Sequence, residues 1–170
     1  MKKFIYFVIP FLLLGCKMKN HKDYAYSEFQ NETQCEVVIN SHLRGTTKTI
    51  DNNNTVSESP YDLLVWATSN HPEFKEFQVS AVELKGTNKE TEVDLKLPDS
   101  KAYFKETKSE DRKASIVIPK LDIEHIDYEL SFSYSVISEG GKACSEKLSV
   151  KFNKQLNEKK VSAWDALMGI

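Results

Sequence analysis

The stretch Tyr128-Glu-Leu-Ser-Phe-Ser-Tyr-Ser-Val136 alternates large apolar side chains with Glu or Ser over nine residues. A helix would scatter those apolar groups around its circumference. A strand puts all of them on one face, so the segment predicts a half-buried β-strand. Leu148-Ser-Val-Lys-Phe152 repeats the pattern, and Glu139-Gly-Gly-Lys142 between them is a turn signal, so the two predict a hairpin. Val93 to Leu97 alternates and stops at Pro98. Phe77-Gln-Val79 and Val82-Glu-Leu84 alternate out of phase across Ala81, which predicts a β-bulge. Weaker strands are expected at Glu36 to Ile39, Lys48 to Asp51, Leu63 to Ala67 and Ser115 to Ile118. Eight short strands joined by polar loops, with no long helical pattern, predict an all-β antiparallel sandwich.

The first sixteen residues carry a different kind of information. Lys2 and Lys3 precede the apolar run Phe4 to Leu14, which is shorter than the ~20 residues a spanning helix needs. It has the length and basic flank of a secretory segment. The ending Leu13-Leu-Gly-Cys16 resembles the lipobox of bacterial lipoprotein precursors. That resemblance implies cleavage between Gly15 and Cys16 and a diacylglycerol thioether with further acylation (palmitate) on Cys16. Leu14 is bulkier than the Ala or Ser common at its position. Two or more acyl chains give stable anchoring where one does not. Lys17 after the cysteine, in place of Asp, looks like outer-membrane sorting, with the domain facing the periplasm. Residues 1–15 are then the signal peptide, 16–32 the lipidated N-terminus and a polar tether, 33–155 the sandwich and 156–170 a C-terminal tail.

Removing residues 1–15 from 170 leaves 155, enough for one domain. The 23 basic residues less Lys2 and Lys3 leave about 21 against 25 acidic ones. A net charge near −4 on the mature chain offers no basic face to nucleic acid. With Cys16 committed to lipid, Cys35 and Cys144 remain, and in an oxidising compartment they are expected to pair. Such a bridge closes a loop of about 110 residues, valued at ~4–5 kcal/mol by chain entropy.

Ile118-Pro-Lys-Leu121 followed by Tyr128-Glu-Leu-Ser-Phe132 resembles the corner before the penultimate strand of fibronectin III-like and immunoglobulin-like sandwiches. In that corner a Tyr hydroxyl bonds back to the preceding loop. The Leu121 to Tyr128 spacing is one residue longer than the usual fibronectin pattern, and the immunoglobulin Cys-Trp-Cys arrangement is absent. The resemblance implies an immunoglobulin-like sandwich and carries no function. Beyond it, Ser162-Ala-Trp-Asp-Ala-Leu-Met168 predicts a short C-terminal helical tail, with Ser162 as N-cap. Trp164 in that tail either seals an end of the sandwich or docks into a partner.

Catalytic patterns are thin. His21, His42, His71 and His125 have no HxH or HExxH spacing, and GxSxG, SxxK and glycine-rich phosphate loops are missing. Asp122, Glu124 and Asp127 read as a solvated loop. The expectation is a non-enzyme with no catalytic residue, no metal and no cofactor. Two connections offer aromatic residues in polar surroundings: Phe74 in Thr68 to Phe77, and Tyr103 with Phe104 in Asp99 to Lys113. They either cap the sandwich ends or bind a partner. The functional expectation is a membrane-anchored envelope lipoprotein that binds an envelope protein through Phe74, Tyr103, Phe104 and Trp164, as an inhibitor or immunity protein. The alternative is a pilotin-type assembly lipoprotein of a secretion machine.

Overall fold

The computed structural model describes residues 19–52, 54–87, 94–108 and 111–161. Every element in them is a strand. In chain order they are β1 (Lys19–Tyr26), β2 (Phe29–Glu32), β3 (Val38–Thr49), β4 (Asn54–Ser69), β5 (Phe74–Gly86) and β6 (Asp94–Leu97). There follow β7 (Ser100–Tyr103), β8 (Lys105–Glu106), β9 (Arg112–Leu121), β10 (Tyr128–Ser138), β11 (Ala143–Phe152) and β12 (Lys154–Val161).

Two sheets pack together. The first runs β12-β1-β4-β3-β2. Strand β3 covers one side of β4 along most of its length. The other side of β4 is shared: β1 pairs in parallel with Asn54 to Ser57, and β9 pairs antiparallel from Tyr61 to Ser69. The second sheet runs β11-β10-β5, and the free edge of β5 is shared by β6 and β7. The core lies between the sheets. Leu63, Val65 and Ala67 from β4 meet Phe77, Val79 and Leu84 from β5 and Leu130, Phe132 and Val136 from β10, all buried. Each Val, Leu or Phe among them contributes ~1.5–3 kcal/mol of burial.

Local chemistry explains the joints. Residues Ala81 and Val82 together oppose the step between Ser131 and Ser133, so the bulge expected at Ala81 is present, with Ala81 at φ 49°. Its N–H donates to the Asp99 carboxylate at 3.0 Å, in the gap between β6 and β7 that Pro98 opens. The β10–β11 hairpin turns at Glu139 to Lys142, with Gly141 at φ 77°. That left-handed position suits glycine, which has no Cβ to clash.

Four expectations need correction. Residues 19–32, read as tether, form β1 and β2, and Tyr26 is part of the core. Lys48 to Asp51 is no separate strand; β3 runs through to Thr49 and turns at Ile50 to Asn54. The connection Asp99 to Lys113 contains β7, β8 and the start of β9. The tail expected from residue 156 is an edge strand, β12, to Val161. The helix expected from Ser162, with Trp164, lies outside the described residues, as do the signal segment, Gly15 and Cys16.

Candidate functional site: the open face of the first sheet

Strand β4 is apolar on both faces over Leu63-Leu-Val-Trp66. From Tyr61 on, its odd residues enter the core, so its even residues point to the outer face, which no second sheet among the described residues covers. Asp62, Leu64, Trp66 and Thr68 lie there, half-buried among their neighbours. Register sets those neighbours. His42 of β3 and Val117 of β9 flank Leu64, while Asn40 and Ser115 flank Trp66. Val117 is 50% exposed. The Lys113 ammonium stands 4.5 Å from the Trp66 ring centroid, a cation–π contact. Arg44 bridges to Asp62 at 3.3 Å. The result is an apolar strip of Leu64, Trp66 and Val117 framed by Arg44, Asp62, His42 and Lys113.

A cleft of about 240 Å³ adjoins the strip, lined by Asp23, His42, Leu43, Arg44, Thr47 and Ser57 among others. It opens where β3 and β4 shift register between Gly45 and Thr46. His42 Nδ1 is buried and takes no hydrogen bond among the described residues. Beside it runs a relay of hydroxyls. Thr47 and Ser57 oxygens are 2.7 Å apart, Ser57 is 3.4 Å from His21 Nε2, and His21 Nδ1 is 2.8 Å from the Thr55 hydroxyl. A Ser beside a His invites comparison with nucleophilic catalysis. In such arrays a carboxylate orients the far ring nitrogen. Here a threonine hydroxyl stands in that place, and Ser57 is buried and shared with Thr47. This geometry ties the strands together.

The expected site residues fall in different places. Cys35 and Cys144 are bonded, with Cα atoms 5.7 Å apart. Phe74 and Phe104 are buried, 8% and 5% exposed, with ring centroids 6.0 Å apart. They fill one end of the core, so the surface role expected of them does not stand. Arg112 fixes them there, its guanidinium donating to the carbonyls of Pro72, Phe74 and Phe104. Tyr103 is 51% exposed with Lys101 over its ring. His71 contacts Glu36 at 3.2 Å, and His125 Nε2 is 3.1 Å from the Ala25 carbonyl oxygen. Among the described residues no three His, Cys, Asp or Glu side chains are placed to hold a metal ion. Leu64, Trp66, Val117 and Lys113 were not singled out by sequence. Their signal was available: a strand apolar on both faces needs a cover for each.

No protein-family model, no curated protein and no solved structure matches this chain significantly.

Proposed function

We propose that this chain is a membrane-anchored envelope lipoprotein that acts by binding another protein, in its most specific form an inhibitor or immunity protein against an envelope-targeting toxin. The open face at Trp66 carries the reading. Tryptophan and arginine are the side chains that most often dominate protein interfaces, and a central apolar strip with a charged rim is the usual anatomy of one. Its mechanism is occlusion, needing tight contact and no chemistry. The lipobox-like ending at Cys16 supplies the anchor, and the Cys35–Cys144 bond suits an oxidising compartment.

The fold within this proposal is immunoglobulin-like. Supporting it are the strand order β3-β4-β9 against β11-β10-β5, and the Tyr128 hydroxyl donating to the Glu124 carbonyl at 3.1 Å. That bond is the one the corner resemblance implies.

A photo-crosslinking residue at Val117, in the native host and intact cells, tests the binding face. The expected adduct is one secreted or periplasmic enzyme whose activity falls when the purified chain is added. Trp66→Ala should weaken that complex about 30-fold, the effect of losing a ~2 kcal/mol hot spot. A set of envelope-machine subunits would move the protein to the assembly class. No adduct at Val117, with adducts elsewhere on the surface, would remove this face from the proposal.

A further inference from the structure

One edge of the first sheet ends without a strand beside it. In the β8–β9 turn the Thr107 N–H donates to the Asp111 carbonyl at 2.8 Å, and Lys105 then stands opposite Lys113. The peptide groups of Asp111 and Lys113 therefore turn toward β8, away from β4. Successive residues of a strand send these groups to opposite sides, and β9 pairs with β4 without a shift from Arg112 to Ile118. Ser115 and Val117 thus point their N–H and C=O groups the same way as Lys113. The chain leaves this pairing at Phe104, whose N–H donates to the Lys75 carbonyl, so no strand meets Ser115 or Val117 there among the described residues. Both residues are exposed, and Val117 is apolar and borders the Leu64–Trp66 strip. Pro119, with no N–H to offer, closes the run of donors.

Unpaired main-chain groups on an exposed edge are a template for one more strand, and natural edges are guarded by lysine and proline. Here Lys113 and Lys120 stand at the two ends, and neither makes an ion pair among the described residues. The guards also set a charge. A strand with acidic ends is drawn to this edge, and one with basic ends is repelled. A second copy of this chain is a poor occupant, because two β9 strands paired antiparallel about Ile116 would bring Lys113 of each beside Lys120 of the other. We propose that the β9 edge accepts a short extended segment of the partner protein, apolar at its centre and acidic at its ends, as an added strand of the first sheet. This rests on the protein-binding reading above and specifies how the partner is held. Main-chain bonds to Ser115 and Val117 set the strand's register, and its outward apolar side chains lengthen the strip of Leu64, Trp66 and Val117.

Amide hydrogen exchange of the full chain, read by nuclear magnetic resonance, tests this with a synthetic peptide, acetyl-Asp-Val-Thr-Val-Thr-Val-Asp-amide. Without peptide, the Ser115 and Val117 amides should exchange fast, while those of Ala114 and Ile116, turned toward β4, are protected. At saturating peptide, Ser115 and Val117 should slow about tenfold. A peptide with lysine at both ends, or with its central amides N-methylated, should leave them fast. Both controls lie in the peptide, so no variant has to fold. Protection of Ser115 and Val117 in the free chain, no slowing, or equal slowing by either control would overturn the inference. Equal slowing along β11, the outer strand of the second sheet, would overturn it too. The photo-crosslink at Val117 answers separately for the partner reading. An enzyme adduct there with no peptide effect leaves that reading standing and overturns the added strand. Peptide protection with adducts only elsewhere on the surface removes this face from that reading and leaves the edge as a strand acceptor.

Discussion

Three donors meet on the carbonyl of Glu124: the hydroxyls of Tyr26 and Tyr128, each at 3.1 Å, and the N–H of Ile126. One of these was legible beforehand. Tyr128 opens an alternating strand after Leu121, and the corner resemblance implied its bond. Tyr26 was not, because its neighbours Asp23, Ser27 and Glu28 make the segment read as solvated. Removing the Tyr128 hydroxyl leaves Glu124 two other donors, so Tyr128→Phe should cost only about 0.5–1 kcal/mol. Urea denaturation should show that loss, with the far-ultraviolet spectrum unchanged and faster exchange of the Ile126 amide. A loss several times larger would mean that the hydroxyl does more than close this corner. Phe74 and Phe104 make the opposite point. Aromatic residues in polar loops looked like contact groups, but Arg112 gathers the loop carbonyls above them, and their rings turn inward.

Strand β4 shows how one element carries both the core and the open face. It is sixteen residues long, and its two halves face different partners across one edge. The change of partner coincides with a register shift, where β3 moves from Gly45 opposite Tyr61 to Thr46 opposite Glu58. Gly45 permits that step. A Cβ there would stand 2.9 Å from the Glu58 nitrogen and 3.1 Å from the Ser57 carbonyl carbon, both backbone atoms that cannot swing away. Gly45→Ala should therefore destabilise the fold by ~1–3 kcal/mol, read as a lower denaturation midpoint. An unchanged midpoint would show that the joint is plastic. Sequence placed a strand at Leu63 to Ala67 but not its reach from Asn54. The added residues hold the polar Ser57-Glu58-Ser59 run and Pro60 between the buried Val56 and Tyr61, so no apolar alternation carries through them.

The Cys35–Cys144 bond ties the turn before β3, in the first sheet, to β11, in the second. Its sequence separation of 109 makes it a constraint on the unfolded chain as a whole. Cys35→Ala with Cys144→Ala should cost ~2–4 kcal/mol, less than the entropy ceiling, and leave the same strands in place. Loss of cooperative unfolding in that variant would instead assign the bond a part in holding the sheets together. Alkali probes the same core by another route. Burial pushes Tyr61, Tyr128 and Tyr134 each up to about 12, and Tyr26 is raised as well for the same first reason. A raised folded value means that the unfolded chain loses its protons first, near pH ~10. Their contribution is thus complete below pH ~10 and is lost as pH climbs through 12. On one pH ramp, tyrosinate absorbance and ellipticity should change together above pH ~10. Ellipticity lost well below that range would point to groups other than these phenols.

Alternation along β5, β10 and β11 was enough to predict strands, the Ala81 bulge and the hairpin, because each depends on residues close in sequence. The pairing of Cys35 with Cys144 was expected from the cysteine count and an expected oxidising compartment, and the bond is present. The edges of the molecule were hidden. Strands β1 and β12 owe their form to each other and to β4, and their side chains are mostly polar, so neither has an apolar face to announce it. The Trp66 strip depended on register, since only the pairing of β3 and β9 with β4 assembles Leu64, Trp66, Val117 and Lys113. Contacts between residues fifty apart arise when strands pair, and no local periodicity encodes which strand lies beside which.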